Sequence, residues 1–233
     1  MKKSLLYMGL FVCVGMSTKV RATEENRLSA IELRRGFAAM FLHFGDRYYI
    51  SDIDQAYRQA AKWYWRAAHQ DVDQDLKSRA FLRLAHIAHE GGRGVAKDWN
   101  LARQLLSVTL QTATDNAIKR EAYLLSGGMY ARGDETLPQD LDGAYQSFNN
   151  VVSLGFLGDE FHRISCATGF YNIGLAYAQI GAIDQARTCF HRVQDLAAQG
   201  GSDLITQLIF QSLTEHANEQ CALLPLDPSY AGG

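Results

Sequence analysis

A chain of 233 residues with 47% hydrophobic residues is long enough to bury a substantial core and short enough to be one domain or one short repeat array. Only three prolines are present, so long helices are permitted almost everywhere. The formal net charge of −2 excludes a strongly basic chain. It disfavours a nucleic-acid scaffold, because phosphate binding depends on a basic face.

The chain opens with Met1, Lys2 and Lys3, then an apolar run over residues 5–16 and a polar stretch ending at Ala22. A charged start, a short apolar stretch and a small residue predict a secretory signal over 1–22, cleaved after Ala22. The run is short for a bilayer span, which needs roughly 20 residues. An uncleaved anchor is the alternative, because Lys19 and Arg21 lie close to the cut. Removing the segment leaves 19 of the 23 basic residues against 25 acidic ones, a net charge of −6. The expected location is periplasmic or secreted, with no integral membrane span after cleavage.

Residues 28–44 have a helical pattern expected to stop at Gly45, forming the first helix of a degenerate opening pair. Beyond it the chain repeats. Ala60, Ala102, Ala144 and Ala186 are spaced by 42 residues, and each is followed four residues later by Tyr64, Leu106, Phe148 or Phe190. In the two middle copies Ala80, Phe81, Leu84, Ala85 and Gly91 map by the same interval onto Ala122, Tyr123, Ser126, Gly127 and Gly133. Such phasing marks helix hairpins that approach closely at small residues. Gly91 and Gly133 are expected to end the first helices as left-handed caps, and Asp98 and Asp140 to start the second ones. Trp63, Tyr64, Phe148, Tyr177 and Phe190 recur in phase and are read as packing residues. The closing helix, residues 202–220, carries Leu204, Leu208, Ile209 and Leu213 on one stripe. Residues 221–233 read as a loose tail.

The stretch Ala80, Leu84, Gly91-Gly92-Arg93-Gly94-Val95-Ala96-Lys97-Asp98 and Ala102, with Ala60, Trp63-Tyr64, Ala67 and Ala68, resembles the Sel-one-like repeats, a branch of the tetratricopeptide-type helical repeats. The next copy departs from the loop pattern with Gly133-Asp134-Glu135-Thr136-Leu137-Pro138-Gln139-Asp140. In the last hairpin Gly174 precedes Ala186 by 12 residues, whereas Ala85 to Ala102 and Gly127 to Ala144 span 17, so shorter and longer repeats are mixed. The resemblance covers residues 56–198. It implies an all-α, right-handed α-solenoid of about four antiparallel hairpins (28–70, 78–113, 118–154 and 160–198) plus the closing helix, within a repeat domain over 23–220.

Candidate chemistry is sparse. His86, His89 and Glu90 form the one close cluster of ligand types, but the order His-x-x-His-Glu matches neither metalloprotease motif, so a polar helix face is the preferred reading. The glycine-rich loop at 91–94 lacks the strand and the Lys-Ser or Lys-Thr ending of a phosphate cradle. Neither a metal nor a cofactor is expected. Cys166, Cys189 and Cys221 remain after cleavage. Antiparallel packing sets Cys189 level with Gly174, roughly 12 Å along the axis from Cys166, too far for a disulfide.

The resemblance places a binding groove on outward positions of the first helices. These are Arg79, Leu82, His86, His89 and Glu90 in one copy. The next copy contributes Glu121, Leu124, Gly128 and Arg132, and the last Thr168, Tyr171, Leu175 and Gln179. Mixed charge and apolar contacts suit an extended peptide or a helix of another protein. The leading expectation is a monomeric exported scaffold that binds a protein or peptide partner, and not an enzyme. The alternatives are a secreted host-directed effector and a cell-wall or β-lactam hydrolase. The hydrolase analogy is to family members with paired cysteines in each repeat, which this chain lacks.

Overall fold

The computed structural model describes residues 24–70, 73–156, 158–201 and 203–224. Among them the chain is all-helical: α1 (Glu24–Tyr49), α2 (Ala56–Ala68), α3 (Gln74–Glu90), α4 (Trp99–Thr112), α5 (Asn116–Arg132), α6 (Leu141–Ser153), α7 (Glu160–Gln179), α8 (Ile183–Ala197) and α9 (Leu204–Leu223). The expected signal over 1–22, and residues 225–233 of the expected tail, lie outside the described residues.

Helix starts are set mainly by aspartate. The carboxylates of Asp73, Asp98, Asp115, Asp140, Asp159 and Asp203 each accept from a backbone N–H of the helix that follows. Such a cap contributes about 1 kcal/mol. Gly91 and Gly133 end α3 and α5, but not in the expected left-handed helical conformation. Their φ values of 65° and 61° are paired with ψ of −168° and 166°, an extended region open almost only to glycine. The reason is the tight return of the chain: Asp98 N donates to Ala88 O at 2.7 Å and Asp140 N to Tyr130 O at 2.9 Å.

The 42-residue register is a packing register. Ala60, Ala102, Ala144 and Ala186 are all fully buried. The large residue four positions later is received by a small residue on the preceding helix. A Cβ added to Gly127 would stand 2.9 Å from the Phe148 ring, and one added to Gly174 2.7 Å from Phe190. Gly45 belongs to the same series, because a Cβ added there would stand 2.3 Å from the Tyr64 ring. The first helix therefore does not stop at Gly45; it continues to Tyr49, and the glycine is a packing contact within it.

The most extensive contacts join α1 to α2, α3 to α4, α5 to α6 and α7 to α8. The first member of each pair also touches the next first member, in the series α1, α3, α5, α7, α9, whereas α2, α4, α6 and α8 make no comparable contact with one another. Two hydrophobic clusters result. One runs from Leu42 to Leu137 and the other from Ala144 to Ala217, and Tyr130 packs against both.

Phenol-to-carboxylate bonds tie neighbouring helices. Tyr64 Oη donates to Asp46 at 2.7 Å and Tyr49 Oη to Glu90 at 2.6 Å. Tyr57 also donates to Glu90, and Tyr177 to Asp142.

The last helix differs from the sequence expectation. It extends through Cys221 to Leu223 and buries Thr206, Phe210 and Ala217, with Leu213 half-buried. Leu204, Leu208 and Ile209, expected on the buried stripe, are exposed along with Ile205. The helix carries two apolar stripes. Docking uses the one whose small residues allow close approach and whose Phe210 ring lies 4.6 Å from the Arg163 guanidinium.

Candidate functional site on the first-helix face

Outward positions of α1, α3, α5 and α7 carry a row of charges that link neighbouring first helices. Arg83 is central. Its guanidinium lies 3.6 Å from Asp46 on α1 and 3.1 Å from Glu121 on α5. His86 Nε2 stands 3.0 Å from the same Glu121 oxygen. Burial pushes the Glu121 carboxyl up, but the hydrogen bond from His86 and the charge of Arg83 outweigh it and hold the group below its usual range. His162 on α7, paired with Asp159, adds to that lowering and extends the row.

A second knot forms where α3, α4 and α5 meet. The His89 ring stacks on Trp99 with centroids 5.4 Å apart, and Trp99 Nε1 donates to His89 O at 3.1 Å. Arg132 lies 3.0 Å from His89 Nε2. Lys97 sits 4.0 Å above the Trp99 ring and 3.6 Å from Asp134. Burial first, then the neighbouring Arg132, push the His89 imidazole down to about 4. It is therefore neutral near pH 7 and accepts from Arg132. Glu90 accepts from Tyr49 and Tyr57, beside the stacked pair those two rings make at 5.1 Å.

His86 and His89, three residues apart, thus serve different partners, and among the described residues no group of three or more His, Cys, Asp or Glu can hold a metal ion. Of the expected groove residues, Arg79, Arg132 and Gln179 are exposed, and Glu121, Leu124 and Tyr171 are half-buried. Leu82 is not on an open face: it is 1% exposed and part of the core. The physical reason is that α3 is enclosed by α1, α2, α4 and α5, so a residue directed toward the next first helix is covered. Leu124 and Tyr171 pack against the second hydrophobic cluster, with the Tyr171 ring 5.9 Å from Phe190.

Sequence reasoning missed Arg83 and Asp46. Asp46 follows Gly45, where the helix had been ended too early. The pairing of Gly45 with Tyr64, parallel to Gly127 with Phe148, is the signal that would have kept it in the helix. The three cysteines are free thiols, Cys166 and Cys189 buried and Cys221 half-buried. Burial pushes Cys166 well up and Cys189 up to about 12, so neither supplies a thiolate nucleophile near neutral pH.

A row of carboxylate, guanidinium, carboxylate and imidazole that pairs within the protein at partial exposure can exchange those pairs for the charges of a ligand. Comparison with protein-family models, with curated proteins and with solved structures gives no match.

Proposed function

We propose that this chain is an exported scaffold whose row of first helices binds a protein or peptide partner. In this reading it is a right-handed solenoid of about four hairpins plus a closing helix, of the Sel-one-like and tetratricopeptide type. The observation that carries the reading is the conversion of the 42-residue register into one repeated contact. Gly45 with Tyr64, Gly127 with Phe148 and Gly174 with Phe190 close the two helices of their pairs in the same way, and successive first helices touch one another along the series. Stacked repeats of this kind present extended surfaces rather than enclosed pockets. The polar row through Asp46, Arg83, Glu121 and His86 is such a surface, with Arg79, Arg132, Tyr171 and Gln179 along its length. Export rests on the segment over 1–22, and no helix among the described residues is long and apolar enough to cross a membrane.

The test is site-specific photo-crosslinking in the native cell. A photoreactive residue at Arg79 or Gln179 is expected to capture one protein repeatedly, while the same residue at exposed Lys62 on α2 captures none. Equal capture from Lys62, or none from the first-helix positions, would remove the assignment. Mass spectrometry of the secreted or envelope fraction is expected to find a mature start at Thr23, and full-length protein in the cytoplasm would contradict export.

A further inference from the structure

One residue before each small-to-large contact, the two helices of a pair present a second pair of side chains. In the first pair these are Phe44 and Trp63, with ring centroids 5.2 Å apart. In the second they are Leu84 and Leu105, and in the last Ile173 and Cys189, all buried. The same positions on α5 and α6 hold Ser126 and Ser147. Both hydroxyls turn back onto their own helices, Ser126 Oγ donating to Ala122 O at 2.9 Å and Ser147 Oγ to Gly143 O at 2.8 Å. The space that large side chains fill in the other layers is open. A cleft of about 660 Å³ lies here between α4 and α6, with α5 as its floor.

The cleft has the chemistry of a slot. Leu106, Leu110 and the rings of Tyr123 and Tyr130 line it. Because the two serine hydroxyls already have acceptors, an apolar group entering beside them leaves neither donor stranded. Arg103 stands exposed at the edge, the lining contains no carboxylate, and no described residue forms a salt bridge with Arg103. We propose that this cleft binds an extended segment of a partner protein that carries one large apolar side chain next to a carboxylate. The apolar side chain completes the layer that Phe44 and Trp63, or Leu84 and Leu105, complete elsewhere. The carboxylate meets Arg103. This slot opens between second helices, away from the charged row, and does not depend on that row's function.

The experiment titrates the full-length mature chain with the peptide acetyl-Gly-Phe-Asp-Gly-amide and follows backbone amide resonances. The expected result is saturable shifts at residues of the cleft with a dissociation constant on the order of 1 mM, suited to a ligand of this size. Replacing the peptide's Phe by Ala abolishes binding, and replacing its Asp by Asn weakens it about tenfold, as does Arg103→Gln in the protein. The double variant Ser126→Leu/Ser147→Leu copies the Leu84 and Leu105 layer, so it raises Tm and closes the slot to the peptide. Ser126→Leu alone gives the same loss of binding if the double variant does not fold. Unchanged binding in the leucine variants, or no saturable shifts at the cleft, would overturn the slot. Equal affinity for the Asp and Asn peptides would overturn the role of Arg103. Tighter binding of free N-acetyl-phenylalanine than of the peptide would overturn a protein segment as the ligand.

Discussion

The loops at 91–98 and 133–140 share little sequence and three backbone bonds. In the first, Gly91 N donates to Ile87 O at 2.9 Å, Gly92 N to Val95 O at 2.8 Å, and Asp98 closes the turn. In the second, Gly133 N donates to Met129 O at 2.9 Å, Asp134 N to Leu137 O at 2.6 Å, and Asp140 closes it. Three positions therefore define the loop: the glycine, the apolar residue that returns toward the core, and the capping aspartate. Between them the tip is free to vary, and the two copies hold it differently. Arg93, itself at φ 47°, reaches out to Tyr49 O, Ser51 O and the Asp52 carboxylate of the preceding loop. Asp134 instead folds inward and accepts from Thr136 N, Thr136 Oγ1 and Leu137 N. The first tip is fixed to the loop before it, and the second chiefly to itself, with Lys97 of the first loop 3.6 Å from its carboxylate.

The largest effect should come from the position the loops share. Gly133→Ala places a Cβ 2.4 Å from Gln139 N, and Gly91→Ala places one 2.7 Å from Lys97 N, both at positive φ. Each is expected to cost about 3 kcal/mol or more in chemical denaturation, and a cost below about 1 kcal/mol would show that the turn is less constrained than its bonds imply. Ala144→Leu, one turn beyond the Asp140 cap, should cost about 1–3 kcal/mol by overpacking a fully buried site. An unchanged unfolding midpoint would mean that the register is not a packing register.

The two tips then separate. Asp134→Ala is expected to lower Tm by a few degrees and to speed amide exchange chiefly within its own loop, where three of its bonds are made. Arg93→Ala should lower Tm less, but loosen residues 49–52 in the same exchange measurement. If both variants loosen only their own loops, the difference between the tips disappears.

The smallest effect is one of pH. Lys97 of the first loop reaches Trp99 and Asp134, with His89 and Arg132 beside them. Because the folded imidazole is lowered to about 4 from an ordinary 6.5, the unfolded chain binds more protons between those values. Stability contributed by His89 is therefore complete above pH 6.5 and lost as pH falls toward 4. The lowered Glu121 carboxyl acts in the same direction at lower pH. His89→Asn should flatten this limb of the stability curve by no more than about 1 kcal/mol, since the site is half open to solvent. A wild-type chain equally stable at pH 7 and pH 5 would contradict it.

The helical class and the phased alanines were legible because a buried small residue every 42 positions leaves a direct trace in sequence. The glycine turns were legible as positions but not as conformations, since composition marks a positive φ without fixing ψ. Gly45 misled because a glycine at the end of an apolar run reads equally as a stop and as a seat for an aromatic ring. Only the position of Tyr64 in space decides between them. Leu82 and the exposed stripe of α9 share a cause. Each lies on a helix with more than one apolar face, and periodicity does not choose which face meets a neighbour. The charged row was read in part, through His86 and Glu121, and the knot beside it through His89 and Arg132. Arg83 and Asp46 were not, because ties between successive first helices depend on how the pairs stack.

The bonded tyrosines give the protein an optical signature at high pH. Tyr49, Tyr57, Tyr64 and Tyr177 are all held above the ordinary phenol range, by burial first and then by the carboxylate each one meets. A folded chain keeps those protons where an unfolded one releases them, so stability falls as pH rises past about 10. Absorbance from these four phenolates should accordingly appear abruptly during alkaline titration, when the helices separate and the bonded phenols ionise together.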